Sequence, residues 1–111
     1  MNTDKQNELL YAKLNLETAQ LPWTELQRYF AGGSVIVVSD ALDLIDVAAR
    51  IAADDKATVA AWLDEQRIAK VTDAQARAWL EADATLWTVV VKPWILVQQG
   101  RPAQAAQGRL H

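Results

Sequence analysis

No cysteine occurs among the 111 residues, which removes disulfides, thiolate nucleophiles and zinc–thiolate centres together. Histidine is almost as scarce. The single one is His111, outside every periodic segment, so a serine or threonine nucleophile has no imidazole base within hydrogen-bond reach. Glycine numbers four, and its one pair, in "AGGS" at Ala31–Ser34, stands between a helix pattern and a strand pattern. A dinucleotide fingerprint needs the order strand, glycine-rich turn, helix, so no phosphate-cradling loop is present. Basic residues number 11 against 14 acidic ones, a net charge of -3, which gives no long-range attraction for phosphate backbones or anionic lipid. The longest apolar run, Leu86–Val97, is interrupted by Lys92 and Pro93, whereas a membrane-spanning helix needs about 20 apolar residues. "MNTDKQNELL" lacks the basic-then-apolar order of a signal peptide, and the absence of cysteine suits a reducing compartment. A cytoplasmic protein is expected, with no cofactor.

What is present describes one folded domain. Apolar residues make up 51% and charged residues 23%, the balance of an ordinary globular chain. Thr3 with Gln6 is a capping box opening a helix over about Asp4–Glu17. Pro22–Ala31 is a second helix, with Trp23, Leu26 and Phe30 on one face and Gly32–Gly33 where a left-handed cap belongs. "VIVV" at Val35–Val38 is a buried strand, β-branched and bounded by Gly and Asp. A helix capped by Ser39 or Asp40 follows, with Leu44, Ala48, Ile51 and Ala52 inward. "DDKATVAAWLDEQ" begins another helix with Val59, Trp62 and Leu63 inward, and Ile68–Val71 extends briefly as a strand. Thr72 with Gln75 repeats the capping box and opens a helix that turns Ala76, Trp79 and Leu80 inward. "AAWLDE" and "RAWLEA" echo one another as two helices using the same Trp-Leu wedge, too short to be a repeat unit.

The acids Asp40, Asp43, Asp46, Asp54 and Asp55 are the candidate ligands for a divalent cation, which prefers oxygen donors. Asp40 and Asp43 are the weak metal candidates among them. The spacing departs from a calcium loop, and Asp46–Arg50 and Arg50–Asp54 read instead as ion pairs four residues apart on a solvated face. A winged-helix reading, with the helix from Thr72 as groove reader, meets a helix carrying Arg77 against Asp73, Glu81 and Asp83. Nucleic acid is therefore an unfavoured partner.

"LWTVVVKPWILVQ", Leu86–Gln98, is the most distinctive stretch. Read with period two, Trp87, Val89, Val91, Pro93, Ile95 and Val97 form one wholly apolar face. Pro93 cannot donate to a sheet ladder and places the strand at an edge or at a break. Drawn straight, the run spans ~40 Å at ~3.3 Å per residue, too long for one element of a domain with a radius of gyration near ~13 Å. Either it breaks at Pro93 into two strands, or part of it pairs outside its own domain. Lys92, Pro93, Trp94, Ile95, Leu96 and Val97 are the candidate interface residues of a homodimer on this reading.

The succession "LPWTELQRYFAGGSVIVV", "LDLIDVAARIAADD", "AWLDEQRIAKVTDAQARAW" and "LWTVVVKPWILVQ" resembles a family of small bacterial proteins catalogued as domain of unknown function 2288, over about Leu10–Gln98. The resemblance implies a cytoplasmic bacterial protein folded as one domain across that span and brings no activity or catalytic residue with it. The expected fold is α+β: about five helices packed on a two- to three-stranded sheet, residues 1–98 as a single globular domain and residues 99–111 as a flexible tail. The expected function is a non-catalytic interaction or regulatory module that self-associates. A small-molecule or divalent-metal protein or enzyme using Asp40 and Asp43, with Lys92 as a cation beside Trp94, and a winged-helix-like nucleic-acid binder are the alternatives.

Overall fold

In a computed structural model of the chain, describing residues 2–100 with side chains from Glu8 onward, the run Leu86–Gln98 breaks into two strands at Lys92 and Pro93. The elements in chain order are α1 (Asn2–Glu17), β1 (Ala19–Pro22), α2 (Trp23–Ala31), β2 (Val35–Val38), α3 (Leu44–Ala52), α4 (Lys56–Asp64), β3 (Ile68–Lys70), α5 (Asp73–Glu81), β4 (Thr85–Val91) and β5 (Trp94–Gln98). The α+β class and the five helices match expectation. The sheet has five strands, in the order β1-β4-β5-β2-β3, rather than two or three. One extra strand comes from the break at Pro93. The other is β1, which Pro22 concealed: a proline reads as a helix start, yet here it ends an edge strand where its missing N–H costs no ladder bond. The Thr3–Gln6 capping box and the tail beyond Gly100 lie outside the described side chains and residues respectively.

β4 and β5 form an antiparallel hairpin across the cis Lys92–Pro93 peptide, with Val91 opposite Trp94 and Trp87 opposite Gln98. Directly paired residues share a face, and a two-residue turn pairs odd positions with even ones. Trp87, Val89 and Val91 therefore lie with Trp94, Leu96 and Gln98, while Leu86, Thr88 and Val90 lie with Ile95 and Val97. The single odd-numbered apolar face is thus corrected: it holds up to Val91 and inverts after Pro93. β5 then pairs in parallel with β2, which takes β3 antiparallel on its far side.

Helices cover both faces of the sheet. α1 and α3 bury one face through Leu14, Ile45 and Ala48 against Ile36, Val38, Val89 and Leu96. α2 and α5 bury the other through Trp23, Leu26 and Trp79 against Val35, Leu86, Ile95 and Val97. Trp23 meets Trp79 edge-on at 5.1 Å between ring centroids and Phe30 at 5.6 Å. Two-sided burial explains why β2 is continuously apolar rather than alternating.

The helix boundaries follow local chemistry. Asp43, not Ser39 or Asp40, caps α3, its carboxylate accepting from the Ile45 amide at 2.9 Å. Thr72 and Gln75 form the expected reciprocal box at α5. Asp55 caps α4, accepting from the Thr58 amide and hydroxyl. At the other ends, α2, α3, α4 and α5 stop in the same way, at Gly33, Asp54, Gln66 and Asp83, whose φ angles are positive, 52–78°. Each motif carries a bond back to the last turn, Ser34 to Tyr29, Asp55 to Arg50, Arg67 to Trp62 and Ala84 to Trp79, the pattern of a Schellman cap. The Trp-Leu wedges are only half inward. Trp79 is buried and Trp62 partly so, but Leu63 and Leu80 are about half exposed at 50% and 47%, because neighbours on a helix point some 100° apart.

Candidate functional site

The six interface candidates divide. Ile95, Leu96 and Val97 belong to the central strand, hydrogen-bonded on both sides by β4 and β2 and enclosed by helices on both faces, with exposures of 7%, 0% and 0%. Their own chain occupies every surface they have. Lys92 and Pro93 are exposed at the hairpin turn, and Trp94 is partly exposed. The over-long apolar run needed cover, and the hairpin fold supplies it within the chain.

The two acid candidates do not converge. Asp43 is engaged with the Ile45 amide. Asp40 accepts from the Gly100 amide at 3.0 Å, joining the loop after β2 to the end of β5. It lies at the margin of a polar cleft of about 510 Å³ with Arg67, Thr72 and Gln75. Among the described residues no three carboxylates or imidazoles gather as a metal site. Arg50 bridges Asp46 at 3.8 Å and Asp55 at 3.2 Å; the first pair follows the sequence expectation and the second replaces Asp54, which turns away at the left-handed helix end. The Tyr11 hydroxyl donates to Asp46, tying α1 to α3. Losing that proton would place a phenolate against a carboxylate, and the hydrogen bond, followed by burial and the Asp46 charge, pushes Tyr11 up to about 12. The Thr58 hydroxyl and amide hold the Asp55 carboxyl below its usual range.

α5 does not project as a groove reader. Ala76 and Trp79 bury its inner face against the sheet, and its outer face presents Asp73, Arg77 and Glu81.

A groove of about 390 Å³ runs between α4 and the edge strand β3. Ile36, Ile68 and Trp94 form its floor, Val59, Ala60 and Leu63 its α4 wall, and Ile51 of α3 closes it from behind. Its rim carries Asp54, Asp55, Lys56 and Lys70. The cation beside Trp94 is Lys70, with Nζ 5.9 Å from the ring centroid, rather than Lys92, which lies in the turn. Lys70 stands opposite Ile36 in the β2–β3 ladder, so its stem crosses the sheet face toward the indole. The sequence signal for this groove is the α4 stripe Val59, Trp62 and Leu63, which reads as core; Ala60, which also lines it, carries no signal of its own. Lys70 and Ile36 carried no signal, because their meeting depends on a pairing between residues far apart in the chain.

A mixed five-stranded sheet clothed by helices on both faces, with an apolar groove at one margin, defines an α+β domain. The chain belongs to the family described as "Protein of unknown function (DUF2288)", whose model matches residues 9–99, in accord with the motif succession from Leu10 to Gln98. It is similar to the NMR solution structure of PA1075 from Pseudomonas aeruginosa, at 46% identity over 93% of this chain and 92% of that one, with a TM-score of 0.73. No match was found among curated proteins. No helix among the described residues is long and apolar enough to cross a membrane.

Proposed function

We propose that this domain is a non-catalytic interaction module whose working surface is the groove beside α4, and that the groove receives the apolar side of an amphipathic helix. The observation that carries the reading is the state of α4. It contributes no buried residue, although Val59, Ala60 and Leu63 line an apolar trough along its length. A surface helix normally buries its apolar stripe against a neighbour, and a helix laid in the trough would complete that burial by the ridge-in-groove packing used in peptide recognition. The volume also lies in the range of occupied binding sites, roughly 300–1,000 Å³.

An amide chemical-shift titration with an anilinonaphthalene sulfonate tests it. Shifts should centre on Ile36, Ala60, Ile68 and Trp94, and Ala60→Trp, which fills the trough from an exposed position, should weaken the probe at least tenfold. Probe shifts elsewhere, or an unchanged affinity in Ala60→Trp, would overturn the reading. Neither alternative has an observation in its favour: Asp40 and Asp43 are engaged with backbone amides, and α5 presents more acid than base.

A further inference from the structure

We infer that the element seated in the groove is helix α1 of a second copy of the chain, presented through Leu9 and Leu16; this rests on the reading of the groove above. α1 has two apolar sides. Leu10 and Leu14 turn inward, and Leu14 is buried at 4%. Leu9 and Leu16 turn outward and are 65% and 87% exposed. At 3.6 residues per turn, Leu9, Ala12 and Leu16 fall within an arc of roughly 60°, the i, i+3, i+7 anchor spacing of helix-in-groove recognition. One exposed leucine is ordinary. Two in register, on a chain that also carries an unfilled apolar trough, are the two halves of one contact.

The dimensions agree. Leu9 and Leu16 are ~10.5 Å apart along the axis at ~1.5 Å per residue, and the nine residues of α4 give a wall of ~13.5 Å. The charges agree as well: Glu8 is exposed beside Leu9, and Lys70, at the Trp94 end of the trough, has no carboxylate within ion-pair distance among the described residues. Pairing through the sheet margins is the poorer route. β3 is three residues long and ends in Lys70, and β1 ends in Pro22, both devices that discourage edge-to-edge association.

Sedimentation velocity on the full chain at tens of micromolar tests the inference. The wild type should sediment as a dimer. Leu16→Glu should raise the dissociation constant at least tenfold through the loss of a buried leucine, and Leu63→Glu should do the same from the groove side. Both positions are half exposed or more, so the variants keep the fold. Leu16→Glu retains an intact groove and Leu63→Glu an intact stripe, so an equimolar mixture should form a heterodimer where neither associates alone. A wild-type monomer at hundreds of micromolar, an unaltered constant in Leu16→Glu, or no heterodimer in the mixture would overturn it. Probe binding to the Leu16→Glu chain reports on the groove independently, so loss of this inference leaves a signal distinct from loss of the groove itself.

Discussion

Gln98 is fully buried at the end of β5, and its amide nitrogen donates to two backbone carbonyls in the loop before α3, Ser39 at 2.9 Å and Leu42 at 2.7 Å. That loop has no regular ladder of its own, so the Gln98 side chain supplements its local turn bonds, Leu42 N–H to the Ser39 carbonyl and Ala41 N–H to the Ser39 hydroxyl. Gln98→Leu keeps the bulk but leaves the Leu42 carbonyl unpartnered, while the Ser39 carbonyl keeps its bond from the Leu42 amide, and should cost about 1–2 kcal/mol, read as a lower urea midpoint with an unchanged m-value. Gln98→Glu should cost more at neutral pH, because it aims a carboxylate at the same two oxygens. Tyr11 offers a pH test. Its folded-state pKa, about 12, exceeds the ordinary phenol value of 10.0, so the stability it contributes is complete below pH ~10 and is lost as pH rises through ~12. Wild type should therefore lose stability relative to Tyr11→Phe across that window, while at pH 7 Tyr11→Phe should cost about 1 kcal/mol, a charge-assisted bond discounted for partial exposure. Neither role was legible in the sequence. Gln98 occupies the last place in an apolar run, and Asp46, the partner of Tyr11, reads as one more surface acid because its contact spans 35 positions.

Among the elements, the four matched helix ends give a graded series. Gly33 adopts the left-handed conformation freely, whereas Asp54, Gln66 and Asp83 adopt it against their Cβ atoms. Gln66→Gly should raise stability by about 0.5–1 kcal/mol, the steric relief exceeding the entropy glycine adds to the unfolded chain; thermal and urea unfolding would show it as a higher midpoint. Thr72→Ala removes one half of the α5 capping box and should cost about 1 kcal/mol. These boundaries were mostly readable, since caps are local. Trp23, Leu26 and Phe30 announced α2, and Thr72 with Gln75 announced α5. The α3 cap was misplaced by three or four residues because Ser39, Asp40 and Asp43 are all acceptable caps; Ser39 accepts from the Ala41 amide and Asp40 from the Gly100 amide at the far end of the chain instead. The hairpin shows the same limit more sharply. Period-two patterning was right on each side of Pro93 and wrong across it, because a turn of even length exchanges the faces.

At the scale of the molecule, the sheet was undercounted because the margin strand β1 is written in four residues, below the length at which alternation is informative, and because one apolar run holds two strands across Pro93. Class and helix count survived because they rest on long amphipathic segments. The groove was legible only as an α4 stripe, and what leaves that stripe uncovered is the placement of α4 over a three-residue edge strand, a matter of assembly rather than of any one residue's preference. The strand order has a further consequence for how the chain comes to be folded. β5, the last strand in chain order, is the middle of the sheet, joining a β1–β4 pair on one side to a β2–β3 pair on the other. During synthesis the earlier strands emerge without the strand that unites them, so neither core can close until the segment through Gln98 has left the ribosome, and domains fold as units only when complete. A ribosome-arrested chain with only residues through Pro93 outside the exit tunnel should accordingly be cleaved readily by protease. Release of the next few residues should convert it to a resistant form in one step, with synthesis of the final strand timing the fold.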